Sequence, residues 1–505
     1  MLRQSGTLRR VQRLGLLGAL VVTSACAGKW TVSSAPAPVR AVHAVLMHNG
    51  HVLLIAGSGN DPEAFAAGSF TSAEWDPVAN SFRTIATPYD MFCSGHAVLP
   101  DGRVMVAGGT QAYPSTAGGT DFQGSAQSYA FDPTTHQYVQ LPTLAEGHWY
   151  PTVVNRGDGK QIVVGGLDQN GILQSHYQTF DPAANGGAGA LSAQQTTAGF
   201  FPTYPALHLL ADGRFFYSGV STFGDGSDPP GLWNADTNTF TAVKGLTDRG
   251  RRDMGASVLL PPAQDQRVMV MGGGIHHSTT TLATASTALI DLKKANPAYV
   301  AGPPMSESKQ YVSAVTLPDR TVLQSGGTSM SYLANAVPGF KFRYTAQLFH
   351  PDTNTWEDAA KSTVGRTYHS EALLLPDGRV ATFGSNLGND GAPFESRIEI
   401  YQPKYFDKVR PVLGGLPANP TLARGATINF TSDRPLQWAE LIRPGAATHS
   451  NDPDQRLVDL PITQNGTQVS AALAANPNLT PPGYYMLFGV DTDGTPSVAT
   501  WVQVV

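Results

Sequence analysis

A short hairpin recurs seven times along this 505-residue chain. Its copies are HNGHVLLIAGSG at 48–59, PDGRVMVAGG at 100–109, GDGKQIVVGG at 157–166, ADGRFFYSG at 211–219, QDQRVMVMGGG at 264–274, PDRTVLQSGG at 318–327 and PDGRVATFGS at 376–385. A second signature follows each copy, an aromatic-rich run entering a turn, as in EWDPVANSF (74–82), AFDPTTHQY (130–138) and LFHPDTNTW (348–356). Short apolar runs between Asp, Gly and Pro turns are strands rather than helices. A fixed period constrains the fold more than any other feature here. Each unit cannot bury both of its faces alone, so it must pack on its own copies.

A spacing a little over fifty residues with paired glycines is the pattern of kelch-type β-propellers. The expected fold class is therefore all-β: a seven-bladed kelch-type β-propeller over 35–406, closed radially so that no long sheet edge is left exposed. The hairpin signature stops there. Residues 407–505 read as short alternating strands with Pro/Gly turns, consistent with an immunoglobulin-like β-sandwich. The 53 Gly and 37 Pro suit such a loop-rich chain. With 14% charged residues, a net charge of −5 and no basic run, nothing favours a nucleic acid or an anionic membrane as partner.

The N-terminus sets the compartment. Arg3, Arg9, Arg10 and Arg13 precede an apolar stretch at 14–25 that is too short to span a bilayer, and Ala25-Cys26-Ala27 fits a cleavage site. The expectation is a signal peptide over 1–27 and an exported protein, secreted, periplasmic or at the cell surface, with no transmembrane helix in the mature form. A lipid anchor at Cys26 is the alternative. Either way Cys93 is then the only thiol, unpaired in an oxidising compartment. The ordinary explanation is an inert buried cysteine acting as a small hydrophobe.

The repeat places Cys93 in register with other side chains. It lies seven residues before the Pro of its turn, and His369 lies seven before Pro376 with Tyr368 beside it. Tyr150, Tyr204 and Tyr311 occupy the matching positions of three other copies. If each following strand is the innermost of its blade, these side chains meet at one end of the propeller axis. Imidazole and phenol together suit copper(II) or another borderline metal in tetragonal geometry. A cysteine beside a tyrosine there allows the sulfur to be joined to the ring carbon next to the hydroxyl, which leaves it neither free nor in a disulfide.

On MFCSGHAVLPDGR (91–103), HWYPTVV (148–154), GRTYHSEALLLPDGR (365–379), LIRPGAATHSNDPDQR (441–456) and PPGYYMLF (481–488), the chain resembles the copper radical oxidases, the group of galactose oxidase and glyoxal oxidase. The likeness covers nearly all of 40–505 and is closest to the bacterial glyoxal-oxidase-like branch. It implies one copper per chain and a self-derived radical cofactor, Cys93 cross-linked to Tyr150. It also implies Tyr368 as axial phenol and His369 and His449 as imidazole ligands, so that the metal set is Tyr150, Tyr368, His369 and His449. The implied reaction oxidises a small alcohol, aldehyde or glycan with O2, releasing H2O2. Tyr368 acts as general base, the Tyr150–Cys93 radical takes a hydrogen from the substrate carbon, and copper accepts the second electron.

Galactose oxidase stacks a tryptophan over its cofactor at a position that is Asp168 here, so protection of the radical comes from another side chain or is weaker; Trp149 is either that shield or a propeller-core tryptophan. The propeller would begin almost at once after the signal, without the carbohydrate-binding domain of galactose oxidase, and a monomer is expected. Tyr204 and Tyr311 are assigned to packing, His96 and His208 to hydrogen-bonded core positions, His276-His277 to a solvated loop, and Phe394 to the entrance. Arg251, Arg252 and Gln310 receive no role. The competing reading is a non-catalytic kelch propeller that binds glycans or a protein partner at the cell surface.

Overall fold

The computed structural model describes residues 28–115, 121–387 and 393–505, so the signal-peptide reading and Cys26 lie outside it. Each repeated hairpin joins the first two strands of an antiparallel sheet. The first strands are His43–Leu46, Ser94–Val98, Thr152–Asn155, Leu207–Leu209, Ala256–Leu259, Ser313–Thr316 and Ser370–Leu374. The aromatic signature falls on the third strand, as in Thr71–Asp76, Ser128–Asp132 and Ala346–His350. Among the described residues the one α-helix is the single turn Pro62–Ala66, so the fold is all-β. First and second strands are buried at nearly every position, Val52–Gly57 and Val104–Gly108 throughout. Strands with both faces covered lie between neighbouring sheets rather than against solvent.

The paired glycines let those sheets converge. A Cβ on Gly108 would stand 2.2 Å from the His148 carbonyl, and one on Gly166 2.4 Å from that of Trp149, each at a positive φ. Both close approaches flank the residue that follows, Tyr150.

The last sheet is completed from the other end of the chain. Lys29–Val32 pairs with Glu399–Gln402, Trp30 opposite Tyr401. Lys29–Val32 thus belongs to this sheet although it precedes residue 35. The hairpin signature marks inner strands, and this is an outer one.

After the 3-10 turn Lys404–Asp407 the chain forms two further sheets. One contains Thr427–Ser432, Gln468–Ala472 and Ile462–Asn465; the other contains Leu436–Arg443, Gly483–Asp491, Thr500–Val504 and Arg456–Leu460. Phe430 and Val469 of the first share a buried cluster with Leu441, Tyr485 and Val502 of the second. Between them the chain makes one excursion that matters for the site. Ala446–Thr448 adds itself to the inner edge of the first sheet, Thr448 opposite His43, and the next residue is His449.

Candidate active site

The residues in register with Cys93 share an unusual backbone. Cys93, Tyr150, Tyr204, Tyr311 and His369 all have φ between 42 and 64°, the left-handed region, as does Met254 in the copy where the sequence offered no polar candidate. For residues other than glycine this costs on the order of 1–2 kcal/mol each and persists only where the surroundings enforce it. Here backbone hydrogen bonds between successive sheets do so. Tyr150 N–H donates to Cys93 O at 2.9 Å, Tyr204 N–H to Tyr150 O at 2.8 Å, and Tyr311 N–H to Met254 O at 2.8 Å. The left-handed turn swings each side chain toward the common centre.

At that centre the structure brings together Cys93, Tyr150, Tyr368, His369 and His449. One ligand atom each of Cys93, His369 and His449 lies within 4.8 Å of the others, all buried. The Tyr150 hydroxyl is the hub. It shares a hydrogen bond with the Tyr368 hydroxyl and another, at 3.0 Å, with His449 Nε2, and it contacts the Cys93 thiol. His369 Nδ1 donates to Asn386 Oδ1 at 2.9 Å, which leaves its Nε2 buried without a partner. His449 Nδ1 is held by Thr448 Oγ1 at 2.6 Å, and its backbone N–H donates to Glu371 Oε1 at 2.9 Å.

Burial fixes the protonation states. The His369 imidazole is pushed down to about 3 by desolvation, and His449 also lies well below the ordinary value, by desolvation and then by the neighbouring imidazoles. Both rings are neutral, as metal ligands must be. Desolvation holds the phenols of Tyr150 and Tyr368 and the thiol of Cys93 well above their ordinary values; repulsion from Cys93 adds to it for both phenols, and Asp90 adds to it for Cys93. The donor set therefore fits copper. It offers two neutral imidazole nitrogens, each oriented by a hydrogen bond through its other nitrogen, and two phenol oxygens that a cation would ionise.

A cavity of about 1200 Å³ opens onto the cluster, lined by Tyr150 and Tyr368 and by Trp149, Phe223, His276 and Tyr332. Trp149 stacks on Phe122 with ring centroids 4.4 Å apart and meets the Tyr150 ring edge-on at 3.9 Å. Asp168 instead organises its own loop, accepting from the backbone of Asn170 and Ile172. Tyr204 packs its ring 4.5 Å from Tyr150 and donates to Ser94 O. Tyr311 bonds His276 Nδ1 at 3.1 Å.

Two expectations are corrected. His276 is not solvated: it is buried, its N–H bound by Asp253 and its ring 4.8 Å from that of Tyr368, while His277 beside it stays exposed. His96 is buried but neither ring nitrogen is hydrogen-bonded; His208 does bond Ser257, at 2.7 Å. Arg252 is spent on the carbonyls of Thr247, Gly272 and Ser286. Arg251 pairs with Asp248, and the Gln310 side chain abuts Gly274. Phe394 bridges to Asn386. Phe223, 5.2 Å from Tyr150, and Asn386 had not been singled out. Both lie in loops that follow the glycines of their hairpins, and the repeat register extended past those glycines would have found them.

Residues 67–405 match the family described as glyoxal oxidase N-terminus, and 410–504 match the galactose oxidase-like early set domain. A galactose oxidase of Gibberella zeae is 26% identical over 94% of this chain and 70% of its own length. Aldehyde oxidase GLOX of Vitis pseudoreticulata is 28% identical over 85% of each chain. A solved fungal alcohol oxidase of the AA5 family, in complex with copper, superposes with a TM-score of 0.79 at 22% identity, over 95% of this chain and all of its own.

Proposed function

The chain belongs to the glyoxal oxidase and galactose oxidase family of copper radical oxidases, which act on alcohols and aldehydes, and we propose that it does this chemistry at Cys93, Tyr150, Tyr368, His369 and His449. The observation that carries the reading is the buried meeting of these five side chains from four parts of the chain, with Tyr150 and Tyr368 lining one cavity. A propeller that only binds would have no need of it.

In this reading the seven sheets are the blades of a kelch-type propeller. Contacts between inner strands of successive sheets and the outer strand supplied by Lys29–Val32 support it. The two sheets after residue 407 are an immunoglobulin-like domain that lends His449. Export through residues 1–27 belongs to the same reading; among the described residues no helix is long and apolar enough to cross a membrane.

His369 and His449 would hold copper through Nε2, and Tyr150 and Tyr368 through their oxygens. Copper, when bound, supplies a Lewis acid and a one-electron acceptor. The cavity delivers a primary alcohol or hydrated aldehyde to the Tyr368 hydroxyl, whose oxygen takes the substrate's hydroxyl proton. Tyr150, joined to Cys93 as a thioether, takes a hydrogen from the substrate carbon. Trp149, edge-on to the Tyr150 ring and stacked on Phe122, walls off that pair from the cavity solvent. For an alcohol the sum is RCH2OH + O2 → RCHO + H2O2. Copper-loaded protein should release peroxide from some member of a panel running from glyoxal and glycolaldehyde to galactose, strictly dependent on O2. Copper-loaded, cross-linked protein inert on the whole panel would remove the reading.

Proton release gives a second check. The imidazoles are already neutral, so copper binding should release protons from phenol alone. The count per copper, measured in weakly buffered solution, should stay flat from pH 5 to pH 7. Ordinary histidines titrating near 6.5 would make it rise toward the acid end.

A further inference from the structure

His43 and His96 stand apart from the cluster just described. Both are buried, with 0% and 3% of their surface exposed, and neither ring makes a hydrogen bond through either nitrogen. The Met91 backbone comes near the His43 ring and the His96 backbone near its own ring, but neither contact meets hydrogen-bond geometry. Every other buried histidine among the described residues has a ring partner: Gly165 O for His148, Ser257 for His208, Tyr311 for His276, Asn386 for His369 and Thr448 for His449. Leaving polar nitrogens dry and unpaired is expensive, about 1–3 kcal/mol each, so two such rings side by side call for a ligand.

Their placement says which kind. The rings meet edge to face with centroids 5.2 Å apart, and His43 lies 6.1 Å from the ring of His449. Two metal–nitrogen bonds of about 2.0–2.1 Å, with the rings' own radii added, bridge centroids up to roughly 6 Å apart. A void of about 10 Å³ borders His96 on its side facing Tyr204, Thr448 and Asn451, and His43 does not line it. That is on the order of one water molecule or one bare ion. The imidazoles of His96 and His369 disfavour further positive charge at His43. An uncompensated divalent ion would be penalised here by the square of its charge, four times as heavily as a monovalent one.

We propose that His43 and His96 form a second copper site, one that binds copper(I) between two neutral imidazoles immediately behind the catalytic cluster. Imidazole is a ligand for copper, and the His449 ring stands 6.1 Å from that of His43. Only the identity of the metal rests on the proposed function; the unpaired rings do not.

The test is copper(I) titration of metal-free protein under anaerobic conditions, with a competing chelator, followed by copper counting and anomalous diffraction. Wild type should retain two copper ions, one giving a peak between His43 and His96. His43→Leu and His96→Leu should each retain one, at His369 and His449. His369→Ala should weaken that other copper and keep the His43–His96 peak. A single copper at the His369–His449 site, a water between the two rings under excess copper(I), or a peak that survives His96→Leu would overturn the proposal and leave the catalytic reading standing. Copper absent from the His369–His449 site would instead strike the catalytic reading. Should the leucine variants fail to fold, the wild-type anomalous map decides alone.

Discussion

Tyr368→Phe is expected to lower turnover about 10²–10⁴-fold, the usual cost of removing a general base, while the Cys93–Tyr150 link stays intact and copper, one donor short, is still held by His369, His449 and Tyr150. The ring of Tyr368 is clamped by stacking on His369 at 3.8 Å and Tyr332 at 4.9 Å, so phenylalanine fills the same volume. What is lost is one oxygen, which faces the Tyr150 hydroxyl on one side and lines the cavity on the other. Imidazole ligands and the thiol are untouched. Intact mass should therefore still show the loss of about two hydrogens that accompanies thioether formation, and mild oxidation should still give the radical. Cys93→Ala should do the reverse, keeping copper and losing the easily oxidised phenol. A Tyr368→Phe enzyme that turns over normally would refute the assignment of the proton to this residue, whatever the fate of the copper site.

The part of the site that could be read in the sequence is the part the repeat generates. Cys93, Tyr150, Tyr204, Tyr311 and His369 share a left-handed backbone because each ends the approach to an equivalent first strand, and equivalent strands impose equivalent geometry. Counting back from the Pro or Asp of each turn finds them without any structure. His449 is outside that logic. It reaches the centre because Ala446–Thr448, from a different pair of sheets, hydrogen-bonds to the edge of His43–Leu46, and no periodicity announces such a pairing. Only the resemblance pointed to it. The outer strand Lys29–Val32 was missed for a similar reason, since its partner Glu399–Gln402 lies at the other end of the repeats.

Burial in the loops was the other blind spot. His276-His277 follows a glycine run and reads as solvated, yet Asp253 captures the His276 backbone and Tyr311 its ring. Desolvation raises the carboxyl of Asp253 to about 7, although two backbone N–H groups oppose the rise. A carboxyl placed there serves loop geometry rather than surface charge, and composition cannot tell the two apart. The aromatic wall of Trp149, Phe122 and Phe223 likewise joins three loops distant in sequence.

Asp454→Ala is expected to destabilise the protein by about 3–5 kcal/mol, the range for orphaning one member of a buried ion pair, and to weaken copper binding although it touches no ligand. Asp454 lies five residues beyond His449, and its side chain is 1% exposed. It accepts from the Val98 backbone at 3.1 Å and from the Asn155 side chain, in the first strands of two successive sheets. Arg443, equally buried, approaches it at 4.0 Å and donates to Val98 O at 3.0 Å. Gln455 grips the strand Ser313–Thr316 through the Thr316 N–H and the Ala314 carbonyl, and Arg456 reaches Leu209 O at 3.2 Å. The segment that carries His449 is thus tied to four separate sheets by the side chains that follow it. Burial raises the Asp454 carboxyl above its ordinary range even with Arg443 beside it, so the pair contributes placement more than net stability. Alanine would leave Arg443 without its anion and Val98 N–H and Asn155 without an acceptor. Asp454→Asn keeps an acceptor oxygen in place and should fall between alanine and wild type in both readouts, the chemical denaturation midpoint and copper retention against a chelator. If Asp454→Ala lost stability but held copper as wild type does, the segment would be a structural plug alone, and the position of His449 would have to be fixed by the strand Ala446–Thr448 and Glu371 without it.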